Sequence, residues 1–147
     1  VLISREAIGG MIPHAGAMHL LDGVLSWDSG RIVCRSSTHC DPANPLRING
    51  RLPALCGIEY AAQAMAVHGS LAGNLDHRPK AGYLASVRKV RCSGHLLDEF
   101  PGDLMVEAER LDGEASHVIY RFWVRAGDVE LLQGRATVVL DTDRTAP

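Results

Sequence analysis

Two spacings of apolar residues divide this chain, one suited to helices and one to strands. Ser4 is a natural cap for a short first helix, residues 4–11, and Pro13 stops it. Met18–Trp27 alternates imperfectly and Arg31–His39 follows, so a hairpin is predicted around Asp28-Ser29-Gly30. Asp41–Arg51 is punctuated by Pro42, Pro45 and Gly50 and reads as a loop. Pro53 suits the first turn of a helix, and the Ala-, Leu-, Ile- and Met-rich stretch behind it predicts a long helix over about 53–75. Leu55, Ile58, Ala62, Met65 and Gly69 recur along it at three- and four-residue steps. Small residues cover much of the remaining surface, so burial on most sides is expected. Polar Asn74–Lys80 ends the helix. Four further strands are predicted at Gly82–Cys92, Asp103–Leu111, Ser116–Arg125 and Val129–Asp141, with turns at Asp112-Gly113 and Gly127-Asp128. Residues 142–147 form a polar tail expected to fray.

This order predicts an α+β fold in which one antiparallel β-sheet wraps around a long central helix. No internal repeat and no second domain are visible, so residues 1–147 are read as a single domain. A helix covers only one face of such a sheet, and an open edge strand needs a partner. Pairing of two sheets edge to edge is the expected solution.

Composition narrows the function. With 46% hydrophobic and 22% charged residues, the chain of 147 residues has the make-up of a globular domain with a real core. A formal net charge of -2 argues against a general nucleic-acid binder, which carries a basic stripe. No apolar run is long enough to span a membrane, and Val1–Arg5 lacks the layout of a signal peptide, so the cytoplasm is the expected compartment. The four cysteines, Cys34, Cys40, Cys56 and Cys92, form no C-x-x-C pair and are expected as buried free thiols. No metal-ligand spacing, phosphate loop or dinucleotide fingerprint occurs, so no metal or cofactor is expected.

The most informative segment is Leu52–Gly69, L-P-A-L-C-G-I-E-Y-A-A-Q-A-M-A-V-H-G. Glu59 lies in the second turn of an otherwise apolar helix, with Gln63 at i+4 on the same face. A carboxylate in apolar surroundings needs a partner, a raised pKa or a task. The plain alternative is an exposed side chain on a solvated stripe.

Here the chain resembles the 3-hydroxyacyl-carrier-protein dehydratases. Pro53, Glu59 and Gln63 match that family's Pro, acid and Gln in spacing, with Leu55 and Gly57 also compatible. Ile12–Val24, Gly82–Arg91, Pro101–Ala108 and Gly134–Val138 are similar to its opening, its strand after the helix, its P-G-D strand start and its last strand. The resemblance implies a hot-dog fold, a homodimer or higher hot-dog oligomer, an interfacial substrate tunnel and a His–acid pair acting across the interface. The acid corresponds to Glu59. The family's loop histidine falls on Pro45, and no histidine lies between Cys40 and Val67. In that absence, in L-P-x5-E-x-x-A-Q, and in its opening Pro13, His14, Met18, Leu20, Leu21 and Asp22, the chain is most similar to the atypical dehydratase-like hot-dog proteins of aryl polyene gene clusters.

Dehydration needs a base for the proton alpha to the thioester carbonyl and an acid for the departing hydroxyl. The resemblance implies that the helix start, at Ala54 and Gly57, holds the carbonyl, that Glu59 does acid/base work and that Gln63 orients it. Candidate bases are His14, which matches a family histidine, and His39, which ends the second strand; His95 is a weaker third. Basic residues Arg47, Arg51, Arg78, Lys80, Arg88, Lys89 and Arg91 could dock an acidic acyl carrier protein, or could be ordinary solvated surface. Three functions stay open: a lyase dehydrating a 3-hydroxyacyl thioester of carrier protein or CoA in fatty acid or polyene-type synthesis, a thioesterase, and a non-catalytic subunit pairing with an active hot-dog chain.

Overall fold

A computed structural model describes residues 2–12, 16–72, 82–114 and 116–140. The expectations for Pro13, His14, Asn74–Lys80 with Arg78 and Lys80, the last residues of the long helix and the tail 142–147 lie outside the described residues.

Alternation makes the central strands. In β6 (His117–Ala126), Val118, Tyr120, Phe122, Val124 and Ala126 are buried while Arg121 is exposed on the other face. Strand β3 (Arg31–Ser36) and most of β7 (Val129–Leu140) repeat it, whereas β2 (Gly23–Asp28) and β5 (Leu104–Gly113) are buried at one end and exposed at the other, and no described side chain of β4 (Gly82–Cys92) is fully buried. A two-residue strand, β1 (Ile3–Ser4), was not predicted and pairs with Val24 and Gly23. The seven strands form one sheet, ordered β1-β2-β3-β5-β6-β7-β4, and every described pairing is antiparallel.

Several boundaries shift. The first helix, α1 (Arg5–Gly9), is capped by Ser4, whose Oγ accepts from Ala7 N–H at 3.2 Å. Strand β2 begins at Gly23 because Met18 ends a 3-10 turn and Leu20 and Leu21 run into the core as irregular chain. Strand β3 stops at Ser36, and His39 sits in the next 3-10 turn, Thr38–Cys40. Strand β5 runs through Asp112-Gly113, moving the predicted turn onward. A register shift after Arg110 lets its guanidinium lie against Gly113, where any Cβ would stand 2.4 Å from Nη2. The Gly127-Asp128 turn is as predicted, with Gly127 at φ 57 supplying the left-handed residue.

The central helix opens with a 3-10 turn at Ala54–Cys56 and continues as α2 (Gly57–Ala72). It is buried on most sides, as expected, with buried positions spanning about 200° of its circumference at 100° per residue. Its core side carries Gly57, Tyr60, Ala61, Ala64, Val67 and His68. Gly57 sets the approach to the sheet, because a Cβ there would lie 2.8 Å from Leu132 Cδ2 and 3.3 Å from Val124 Cγ2. The row of Leu55, Ile58, Ala62 and Gly69 instead faces outward, with only its fifth member, Met65, buried. The buried side chains of helix and sheet form one cluster. Among the described residues no helix is long and apolar enough to cross a membrane.

Candidate functional site

The open side of α2 carries Leu55, Ile58, Glu59, Ala62, Ala66 and Gly69, since these positions fall within about 60° of one line at 100° per residue. Leu55 is 55% exposed and Glu59 is exposed, while Ile58, Ala62 and Ala66 are half-buried. An apolar stripe with one carboxylate near its start is therefore left uncovered by the chain's own sheet. Glu59 makes no hydrogen bond or ion pair with a described residue.

The surroundings of Glu59 are fixed by two cysteines. The half-buried Cys56 thiol donates to Leu46 O at 3.7 Å. Its pKa is raised, first by burial, then by the Glu59 carboxylate and by Cys92. Glu59, Cys56 and Cys92 are thus electrostatic neighbours, and Cys92 ends β4, the outermost strand. The acid thus shares a neighbour, Cys56, with the end of the edge strand β4. Sequence reading missed this grouping. A helical projection of residues 55–69 carries the signal for the stripe, but nothing local ties it to Cys92.

The other nominated residues sit apart from Glu59 in function. Ala54 is buried, directly after an antiparallel bridge between Pro53 and Leu96. That bridge ties the helix start to the 93–99 loop, with Leu97 N–H donating to Leu52 O at 2.8 Å. Asp98 locks the same junction, accepting from Leu52 N–H at 2.9 Å and from Arg51 Nε at 2.7 Å. Burial alone would raise the Asp98 pKa, but these donors outweigh it and hold the carboxyl below its ordinary range. Gln63 is 1% exposed and its amide is engaged on both sides. Its Oε1 accepts from Leu20 N–H at 2.9 Å and its Nε2 donates to Met18 O at 2.6 Å. The role of orienting Glu59 is replaced by that of clamping the segment before β2 to the helix.

His39 is 0% exposed. Its Nε2–H donates to Phe100 O at 2.8 Å, which leaves Nδ1 as a buried acceptor without a hydrogen bond. His68 is likewise committed, with Nε2–H donating to Asp28 O at 2.8 Å and Nδ1 accepting from Tyr120 O–H at 2.7 Å. Burial lowers the His68 pKa and pushes Tyr120 up to about 12. His95 lies 3.4 Å from Glu99 on the surface. No described histidine bonds Glu59. Of the four cysteines, all expected inside, Cys34 alone is fully buried, its thiol pushed up to about 12 by burial; Cys56 is half-buried, and Cys40 and Cys92 are exposed. Arg47 and Arg51 are paired with Asp98, whereas Arg88, Lys89 and Arg91 stand exposed on β4.

A single antiparallel sheet curled over one central helix, with an acid in that helix's first turns, defines the hot-dog class. Solved structures of that class superpose on it. A chain of the dehydratase heterocomplex ApeI:P from Xenorhabdus doucetiae matches with a TM-score of 0.81 at 21% identity, covering 94% of this chain and 92% of that one. Thioesterase HI1161 from Haemophilus influenzae matches with a TM-score of 0.69 at 12% identity, covering 95% and 92%. A hypothetical thioesterase protein with coenzyme A from Streptococcus pneumoniae matches with a TM-score of 0.60 at 10% identity, covering 82% and 86%. No curated protein matches the chain. The family described as ApeP dehydratase matches residues 6–146, and the chain belongs to this ApeP-like family. The resemblance drawn from the Pro53–Gln63 motif is therefore borne out, as is the hot-dog fold.

Proposed function

We propose that this chain is one subunit of a hot-dog dehydratase that removes water from a 3-hydroxyacyl thioester carried by an acyl carrier protein or CoA. The observation that carries this reading is Glu59, a carboxylate with no bond to a described residue, in the uncovered apolar stripe of α2 and sharing the neighbour Cys56 with the end of edge strand β4. A partner subunit laid on that edge would enclose Glu59 with apolar surface, where proton transfer to or from an acyl chain is effective. The helix start at Ala54–Gly57 grips the thioester carbonyl, as the positive end of a helix favours an oxyanion; the Cys56 and Gly57 N–H groups already donate within the turn, to Pro53 O and to Ala54 O and Leu55 O, so the grip falls to its first residues. Gln63 holds the wall formed by residues 18–20. His39 and His68 stay in their structural bonds, which leaves the second acid/base role to His14, outside the described residues, or to a group of the partner subunit. The family match and the heterocomplex state of the Xenorhabdus relative support a mixed pair over a homodimer. On this reading the 147 residues act as one hot-dog domain in the cytoplasm, on carrier-bound chains of fatty acid or polyene type.

The test is turnover of a 3-hydroxyacyl carrier-protein thioester by the chain alone and co-expressed with a second hot-dog dehydratase subunit. Enoyl product is expected from the pair, and Glu59→Gln in this chain lowers its rate about 10²–10⁴-fold. Because Glu59 makes no structural bond, the variant keeps its stability within about 0.5 kcal/mol. A rate indifferent to Glu59→Gln defeats the proposal. Release of free thiol without enoyl product assigns the chain to the thioesterases, as the fold of its Haemophilus neighbour allows.

A further inference from the structure

Strand β4 is the last in the sheet, so among the described residues one side of its backbone has no strand beside it. Its eleven residues carry Arg88, Lys89 and Arg91 and no carboxylate. The register sets Arg88 opposite Arg135 of β7, and Arg135 opposite Arg121 of β6. Three guanidiniums therefore stand in one row on the outer face of the sheet, an arrangement that like-charge repulsion opposes. All three are exposed and none is ion-paired with a described residue, although the row's inner end, Arg121, stands opposite Glu109 of β5 and lies over the Trp123 ring at 4.7 Å. Arginines farther across the sheet are neutralised, Arg31 and Arg125 by Glu107, and Arg35 by Asp103. Apart from Arg110 on β5, the sheet's cations without an ion pair among the described residues thus gather at the β4 side.

Cations and bulges guard an edge against indiscriminate pairing. Strand β4 has both, with register shifts at Leu84/Ser86 and Arg88/Arg91 and Lys89 at φ 54. Yet Leu84 and Val90 are 38% and 36% exposed, so the strand also offers apolar contact. Antiparallel self-pairing would set cation against cation. For a two-fold centred anywhere from Val87 to Val90, Arg88 or Arg91 of one copy stands within about two residues, roughly 7 Å along the strand, of a cation on the other.

We propose that β4 is a docking edge that chooses its partner by charge: it pairs with the edge strand of another hot-dog subunit bearing carboxylates on its outer face, and it repels its own copy. This deepens the mixed-pair reading above, and its test measures association without substrate, so a failure of catalysis leaves it standing and a failure of pairing does not decide the chemistry. The probe is a charge-swapped copy of the chain, Arg88→Glu with Arg91→Glu, carrying a mass tag and checked for folding by its thermal melt. Mixed with the wild type and weighed by native mass spectrometry, the mixed pair is expected to exceed both self-pairs in affinity by about tenfold. Added salt should weaken the mixed pair and strengthen the wild-type self-pair, because it screens attraction in one and repulsion in the other. The neutral Arg88→Gln, Arg91→Gln chain should self-associate more tightly than wild type, which keeps the test intact if the swapped copy does not fold. A statistical mixture, a tight salt-independent wild-type dimer, or monomers in every combination overturns the proposal.

Discussion

Replacing Gln63 by Leu isolates the clamp between α2 and the segment before β2. The side chain is almost wholly buried and its two polar atoms serve backbone groups alone, Leu20 N–H and Met18 C=O. Leucine is near glutamine in volume, so the change removes hydrogen bonding more than packing. Leu20 is fully buried, and its orphaned N–H costs about 1–3 kcal/mol. Met18 is only half-buried, so water can reach its carbonyl and the loss there is about 0.5–1 kcal/mol. The Leu20 carbonyl stays held by the Ser36 and Thr38 hydroxyls, which limits the damage to one side of the residue. The sum is about 2–4 kcal/mol, or roughly 6–14 °C in Tm for a chain of this size. Urea denaturation followed by circular dichroism measures it. Gln63→Glu sharpens the test. Its ionised carboxylate would accept from Leu20 N–H but repel Met18 O, whereas the protonated form can donate to that carbonyl. Burial raises the folded-state pKa above the unfolded value, so the folded variant binds more protons and its stability must fall as pH rises through that window. A loss under about 1 kcal/mol for Gln63→Leu, with a Gln63→Glu chain indifferent to pH, would refute the clamp.

Two further expectations follow from the buried groups. His68 resists protonation when folded, so below about pH 6.5 the unfolded chain takes up a proton that the folded chain does not. Its contribution is present above that pH and is lost as pH falls; His68→Gln should flatten the acid side of a stability–pH profile, and an unchanged slope would count against the network with Tyr120 and Asp28. Thiol labelling should find Cys40 and Cys92 fast and Cys34 blocked until unfolding, given its burial and a pKa of about 12. Cys92 should become protected when a partner subunit covers β4, and unchanged labelling in the mixed pair would place the partner elsewhere.

Apart from the two-residue β1, the kinds of element and their order were legible in the chain, because each rests on local chemistry. Two-residue alternation in His117–Ala126, the Ala-rich run after Pro53 and the Gly127 turn declare themselves within a dozen residues. The Pro53–Glu59–Gln63 spacing likewise marked the family, which the match over residues 6–146 bears out. Tertiary structure decided which side of each element is covered. Alanines and glycine surround α2, so periodicity could not say which face meets the sheet; the close approach at Gly57 to Leu132, 75 residues on, chose it and left Leu55 and Glu59 outside. It also took Gln63 and His39 out of the reach of chemistry by giving them backbone partners at Leu20 and Phe100, far along the chain. The row Arg88–Arg135–Arg121 exists only through strand register, since residues 47 and 14 positions apart in sequence stand side by side only after the sheet forms.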